Sequence, residues 1–249
     1  PRVSSAIALG SGTGTVAPAS VAEIHWLIVP NPGSGGTAPT GKLYYVGATL
    51  NYSIGGKAES VVVTPDFIYV KPMPLLNLDY FLTHAVFGDD PLTLTTNEPV
   101  EPYTLGVRIK NTGAATAKNV KIDSAQPKIV DNQQGLLINF QIIGSSLNDL
   151  QATPSLLIPF GDIPASGAST GRWQMTSSLM GWFKEFTATF SHADELGGAL
   201  TSLIPQDGIK THFLLRDVKV DLPGRDNVRD FLATETNNPY DPNLRVYES

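Results

Sequence analysis

The sequence contains no cysteine, and this absence excludes disulfide bonds, thiolate metal sites and thiol catalysis. Charged side chains are also few: they make up 16% of the residues, against roughly 25% in an average soluble domain. Basic residues number 17 and acidic residues 23, so the formal net charge is −6 and nucleic-acid binding is not expected. No apolar run approaches the roughly 18 residues of a membrane-spanning helix, so membrane insertion is not expected either.

Turn-forming residues are abundant instead, with 23 glycines and 19 prolines among 249 residues. Short runs rich in Val, Ile, Tyr, Phe and Thr lie between them, which is typical of β-sandwiches and barrels. A short helix over 228–233 is one competing element, because Asp226 and Asn227 can cap its N-terminus. The pattern predicts an all-β chain with strands over residues 24–29, 43–52, 60–63, 75–81, 103–111, 117–123, 128–130, 135–143, 155–160, 171–177 and 182–192.

Residues 105–122 carry the clearest strand pattern. Apolar residues fall at every second position over 105–110, as expected when one face of a strand is buried, and the same alternation returns at 120–122. Between them lies an Asn-Thr-Gly sequence in which Gly113 can adopt positive φ without steric cost. The pattern predicts a β-hairpin that joins the two strands.

A weak internal repeat links the two halves of the chain. Pro18-Ala19-Ser20 followed by Trp26 matches Pro164-Ala165-Ser166 followed by Trp173, and further matches align 46–50 with 186–190 and 60–65 with 200–205. The repeat predicts that Trp26 and Trp173 occupy equivalent, inward-facing core positions.

The domain prediction follows from that repeat. Residues 1–70 are expected to form the C-terminal half of a sandwich-like unit, residues 71–220 a complete β-sandwich, and residues 221–249 a connector or tail. A half-unit leaves one sheet face bare, so it is expected to pack on a partner.

Residues 107–113 and 117–122 resemble the cell-adhesion-related (CARDB-like) domains of bacteria, whose pattern is a strand, an Asn-x-Gly turn, and Asn-Val followed by a second strand. The resemblance implies an immunoglobulin-like β-sandwich, here as a tandem or one-and-a-half repeat. Such domains are carried on large secreted or surface-anchored proteins, so it also implies an extracellular or cell-surface location. It supplies no catalytic residue.

Carboxylates cluster at Asp89, Asp90, Glu98 and Glu101, and oxygen ligands of this kind suit calcium. The alternative is that they are turn residues whose side chains accept hydrogen bonds from nearby amides. A second acidic group is interleaved with Arg216, Arg225 and Arg229, which predicts exposed ion pairs or a second calcium-dependent junction, and comprises Asp217, Asp221, Asp226 and Asp230. No other cofactor is expected.

Catalytic motifs are lacking. The histidines, His25, His84, His192 and His212, have no zinc-site spacing, and no Gly-x-Ser-x-Gly nucleophile motif is present, so the chain is not expected to be an enzyme. Aromatic side chains offer an alternative function, since an exposed row of them binds sugar rings; the candidates are Trp26, Tyr44, Tyr45, Tyr52, Trp173 and Trp182.

The sequence therefore predicts a structural or adhesive module of a large extracellular protein, with a calcium- or carbohydrate-binding module as the alternative. The start at Pro1 is expected of a processed or excised piece. The predicted partners are neighbouring domains or other copies of the chain, with surface glycan as the alternative. Residues 1–22 and 236–249 are expected to reach a neighbouring copy, so that the sheet edges assemble a filament.

Overall fold

The structure is a computed structural model that describes residues 2–3, 14–122, 138–182, 203–205, 207–235 and 243–249. All regular secondary structure in these residues is β-strand, which confirms the all-β prediction. The described residues fall into two compact units, one that ends at Pro72 and one that begins at Met73. Predicted strands over 128–130 and 183–192, and the repeat matches at 186–190 and 200–202, lie outside the described residues.

The first unit consists of two-stranded antiparallel ribbons. A turn of Gly55 and Gly56, both at positive φ (58° and 81°), joins β4 directly to β5, which is the backbone conformation that a two-residue hairpin requires. The pairs are β1 (Arg2–Val3) with β2 (Ile24–His25), β3 (Lys42–Val46) with β6 (Asp66–Val70), and β4 (Thr49–Ile54) with β5 (Lys57–Val62).

The second unit is built on an eight-stranded sheet. Its strands, in spatial order, are β12 (Leu150–Ala152), β11 (Phe140–Leu147), β14 (Ala168–Ser177), β9 (Tyr103–Asn111), β7 (Leu76–Thr83), β16 (Ile209–Val218), β17 (Asp230–Thr234) and β18 (Leu244–Tyr247). All neighbours are antiparallel except β7 and β16, which are parallel. Two smaller ribbons accompany the sheet: β10 (Ala117–Ile122) with β13 (Ile158–Ile163), and β8 (Ala85–Val86) with β15 (Gly181–Trp182).

The main core lies between one face of the large sheet and the β10–β13 ribbon. Alternate residues of β7 and β9 supply the apolar side chains of the sheet, as the period of two in their sequences predicts. Gly171 of β14 brings the layers close, because a Cβ atom at this position would lie 2.8 Å from the Phe160 ring. The buried cluster includes Leu78, Leu82, Leu105, Val107, Ile109, Ala117, Ile122, Ile158, Phe160, Ile163 and Trp173.

A smaller core lies on the opposite face of the sheet. The rings of Phe81 and Phe231 stack with their centroids 4.3 Å apart. A Cβ atom at Gly106 would lie 2.4 Å from the Phe231 ring, so only glycine fits beneath it. Because β7 and β16 separate β17 from β9 in the sheet, this contact requires the sheet to curl until its C-terminal strands cover part of the second face.

Residues 221–249, predicted as a connector or tail, contain two strands of the sheet. β17 pairs with β16, and β18 pairs with β17. The helix considered over 228–233 is wrong, since 230–234 is strand. Phe231 and Ala233 face the small core at every second position, a pattern that suits a strand.

The predicted hairpin between residues 103–111 and 117–122 is also wrong. β9 pairs with β7 and β14, whereas β10 pairs with β13 in the other layer. Residues 112–116 therefore cross between layers. Gly113 is required there for a close approach, since a Cβ atom would lie 2.3 Å from the Leu75 nitrogen, and its φ lies outside the left-handed region.

Trp26 and Trp173 do not occupy equivalent positions. Trp173 is fully buried in the main core, and its indole N–H donates to the Ser155 carbonyl at 3.0 Å. Trp26 is 58% exposed, because no apolar layer covers it among the described residues. This difference corrects the prediction that both side chains are core residues related by a repeat.

Candidate functional site

The predicted calcium residues lie in one loop of the second unit and bind each other's backbone. Asp89 accepts a hydrogen bond from the Glu98 N–H at 3.2 Å, and Glu98 accepts one from the Asp90 N–H at 3.0 Å. The Asp90 N–H and the Thr93 hydroxyl hold the pKa of Glu98 below its usual value. Glu101 joins the loop through its own backbone N–H, which donates to the Phe87 carbonyl.

These contacts favour the turn interpretation of the loop over the calcium interpretation. The Asp90 carboxylate also accepts the Leu92 N–H at 2.9 Å, as expected of an Asx turn. Within the described ranges, no group of three or more His, Asp or Glu side chains is arranged to hold a metal ion.

In the second acidic group, Asp217 contacts a buried arginine, Arg172, which the sequence does not identify as its partner. Arg172 of β14 donates to Asp217 at 3.1 Å and to Asp149 at 3.3 Å, while Arg229 contacts both carboxylates from the solvent side. The Arg172 guanidinium also lies over the Phe231 ring, 4.2 Å from its centroid. Asp226 and Asp230 instead accept hydrogen bonds from Ser249. Asp217, Asp226 and Asp230 therefore stabilise the packing of the C-terminal residues in the second unit.

A polar cleft of about 650 Å³ opens on the second face of the sheet, between β9, β7, β16 and β18. Its floor is a chain of buried hydrogen bonds. Asp79 contacts His212 Nε2 at 3.0 Å and accepts from Arg108 at 3.1 Å, and the Tyr247 hydroxyl lies 3.1 Å from His212 Nδ1. Arg108 additionally donates to the Glu248 carbonyl at 2.5 Å, which ties β9 to the residue after β18.

The floor of the polar cleft is electrostatically balanced. Burial alone would raise the pKa of Asp79, but the hydrogen bond and charge of His212 and the charge of Arg108 outweigh it and lower this pKa below 3.8. Asp79 is therefore ionised at neutral pH. Burial raises the pKa of Tyr247, so its phenol stays protonated and donates to Glu235 at 3.3 Å. Glu235 pairs in turn with Arg245 at 3.1 Å.

The first unit presents an exposed aromatic face on the β3–β6 ribbon. Tyr45 lies opposite Phe67 and Leu43 lies opposite Tyr69, so all four side chains project from one side. Tyr45, Phe67 and Tyr69 are 70%, 58% and 56% exposed, and the Phe67 and Tyr69 rings meet edge to face at 6.1 Å. We call Leu43, Tyr45, Phe67 and Tyr69 the aromatic face.

The other side of the same ribbon is half-buried. It carries Tyr44, Val46, Ile68 and Val70, and the Tyr44 hydroxyl donates to the Ser34 carbonyl at 2.8 Å. The half-buried side also carries Lys42 and Asp66 at its ends, whereas the aromatic face has no charged side chain and is open to solvent.

Of the six aromatic residues considered for sugar binding, only Tyr45 belongs to the aromatic face. Tyr52 lies on the β4–β5 ribbon, and Tyr44 points to the half-buried side. Trp182 is exposed on the second unit, with its ring edge-on to His84. Phe67 and Tyr69 are not among the predicted residues because no strand is predicted over 66–70, although Phe-Ile-Tyr-Val is a suitable strand signal.

Comparisons with protein-family models, with curated proteins and with solved structures gave no match. The part of the chain that the structure describes contains no helix long and apolar enough to cross a membrane.

These sites differ in the chemistry that they can support. The aromatic face is an apolar, uncharged surface that can pack on another apolar surface or on sugar rings. The polar cleft offers fixed hydrogen-bonding groups to a small polar ligand. In the loop of Asp89, Asp90 and Glu98, the carboxylates accept hydrogen bonds from the loop's own backbone.

Proposed function

We propose that the chain is a structural or adhesive module of a large extracellular protein and that it assembles with further copies of itself. The proposal rests chiefly on the exposed apolar surface of the first unit. Within the described residues 14–72, only Gly35 is buried, whereas large apolar side chains are open to solvent on both ribbons. Exposed apolar side chains grouped as they are on the aromatic face mark an interaction site in a soluble protein.

The β4–β5 ribbon carries exposed apolar side chains as well, beside the ion pair of Lys57 and Glu59. Leu50 and Val61 lie opposite each other, and Leu50, Tyr52 and Ile54 project from the same side of β4. All of them are exposed. Each strand of the β3–β6 and β4–β5 ribbons has one partner among the described strands, so its outer N–H and C=O groups are available to another strand. A second copy of the chain can both cover the exposed apolar side chains and pair with the open strand edges.

The packing of the second unit supports an immunoglobulin-like β-sandwich in the proposed module. The β10–β13 ribbon covers one face of the large sheet, and Trp173 lies in the core between the two layers. The crossover at residues 112–116 moves the chain from one layer to the other, as in sandwich folds. A rigid body of this kind suits a protein that spaces domains or bears load.

The self-assembly proposal predicts concentration-dependent oligomers. Light scattering coupled to size exclusion should find species larger than a monomer that dissociate on dilution. The double variant Tyr45→Ser/Phe67→Ser should shift the population to monomer, because it removes two rings from the aromatic face while adding no charge.

Leu94→Ser is the matched control for this experiment, since Leu94 is 95% exposed but belongs to the second unit and to neither the β3–β6 nor the β4–β5 ribbon. The control should assemble as the wild type does. A wild-type chain that stays monomeric at every concentration, or a double variant that assembles normally, would contradict the proposal.

A carbohydrate-binding module is the second candidate, favoured by the row of Tyr45, Phe67 and Tyr69 on one side of a ribbon. Exposed rings in a row can stack on successive sugars. We expect retention of the wild-type chain and of Leu94→Ser on insoluble cellulose or chitin, and loss of retention for Tyr45→Ser/Phe67→Ser. If neither polysaccharide retains the wild-type chain, or if the double variant is retained equally, this candidate fails for those glycans.

A further inference from the structure

We infer that the polar cleft is a binding site for a small polar ligand with a single negative charge, held between Lys110 and Lys210. This site is independent of the aromatic face and of the proposed assembly.

The cleft is lined by four basic and four acidic side chains among the described residues, but the ion pairs leave two of the basic ones unpaired. Its basic side chains are Arg108, Lys110, Lys210 and Arg245, and its acidic side chains are Asp79, Asp207, Glu235 and Glu248. Arg108 pairs with Asp79 and Arg245 with Glu235, while Glu248 pairs with Arg225 from outside the cleft.

Across the described ranges, neither Lys110 nor Lys210 forms an ion pair, and Asp207 is the one carboxylate of the lining that is not paired elsewhere. Because Arg225 neutralises Glu248, the described residues leave an excess of one positive charge in a chain whose overall formal charge is −6. That excess matches a monoanion, and it disfavours a neutral or cationic ligand.

The strand register places the two lysines on either side of β7. Lys110 of β9 lies opposite Asn77, and Lys210 of β16 lies beside Asp79 on the same face of the sheet. A carboxylate group above β7, between Asn77 and Lys210, would therefore meet an ammonium group from each flank. The Asn77 amide, which donates to the Thr112 hydroxyl at 3.3 Å, lies between them as a neutral hydrogen-bonding group.

The groups on the floor of the cleft are polar, so the uncharged part of the ligand is expected to be polar too. Asp79, His212 and Tyr247 are each less than 10% exposed and hydrogen-bonded to one another, so they form a fixed surface rather than mobile side chains. Preformed groups of this kind lower the entropy cost of binding. A volume of about 650 Å³ accommodates a ligand the size of one or two sugar rings, and an acidic sugar combines the required hydroxyl and carboxylate groups.

The experiment is a titration of the full chain with glucuronate, glucose and inorganic phosphate, followed by NMR or calorimetry. Glucuronate should bind and glucose should bind at least roughly tenfold more weakly, because only glucuronate carries the charge. Lys110→Gln/Lys210→Gln should weaken glucuronate binding by roughly tenfold or more, and higher ionic strength should weaken binding to the wild type. The phosphate titration identifies the source of the anion: binding comparable to that of glucuronate assigns the site to the charge alone.

Lys118→Gln is the matched control, since Lys118 is an exposed lysine of the same unit that pairs with Asp162 outside the cleft. It should bind glucuronate as the wild type does. Lys210→Gln alone is the second variant, because Lys210 is exposed and its substitution leaves the core untouched. Equal binding of glucose and glucuronate, no binding of either anion, or unchanged glucuronate binding in the folded lysine variants would overturn the inference.

Discussion

Replacing Trp173 by alanine is expected to lower the free energy of unfolding of the second unit by about 3–5 kcal/mol. The indole is fully buried among the side chains that join the large sheet to the β10–β13 ribbon. Its removal leaves a cavity between the layers and deprives the Ser155 carbonyl of one of its two donors, the other being the Ser145 hydroxyl. Denaturant unfolding followed by far-UV circular dichroism measures the loss without relying on the fluorescence of the deleted residue.

Trp26→Ala is the control for this experiment. Trp26 is 58% exposed, so its replacement should change stability by no more than about 0.5 kcal/mol. Unequal losses are the result expected if the two tryptophans have different surroundings. A loss for Trp26→Ala as large as that for Trp173→Ala would restore the equivalence predicted by the repeat.

The sequence predicts best those strands that bury one face against the main core. The prediction for β9 coincides with the strand, because Leu105, Val107 and Ile109 alternate strictly with residues that face the polar side. No strand is predicted over 209–218, where Phe213, Leu214 and Leu215 run together and the pairing with β17 shifts register. An irregularity of this kind hides the period of two on which strand prediction depends.

A local sequence signal also predicts the wrong element when it can precede either a helix or a strand. Asp226 does accept a hydrogen bond from the Val228 N–H at 2.9 Å, as a helix cap would. The same contact precedes a strand here, since Phe231 and Ala233 are drawn into the small core by pairing with β16. Tertiary contacts therefore decide between the two continuations.

The polar cleft was beyond prediction because its members are distant in sequence. Asp79 and His212 are separated by 133 positions, and they meet only through the parallel pairing of β7 with β16. Parallel pairing leaves no hairpin or turn signal in the sequence. Asp79 is the one charged residue in the mostly apolar run over 76–82, and a lone carboxylate in a buried strand is the one hint of a buried partner.

Asn111→Ala is expected to lower the free energy of unfolding by about 3 kcal/mol, a large effect for a side chain of this size. Asn111 is fully buried at the end of β9, where its Oδ1 accepts from the backbone N–H groups of Leu75 and Gly113. Its Nδ2 donates to the carbonyls of Ala115, Ile163 and Pro164. The alanine variant leaves these backbone groups without their partner.

Asn227→Ala is the control, since Asn227 is exposed on the same unit and its loss should cost less than about 0.5 kcal/mol. Asn111→Asp tests the direction of the hydrogen bonds. Aspartate keeps both bonds to the N–H groups but turns a negative charge towards the three carbonyls that Nδ2 serves, so it should destabilise at neutral pH at least as much as alanine does. Equal stability of the wild type and Asn111→Ala would show that the Asn-Thr-Gly sequence is merely a turn. A large loss in both Asn111 variants is the result expected if Asn111 fastens the crossover between the two layers, because no backbone turn supplies donors and acceptors to three separate segments at once.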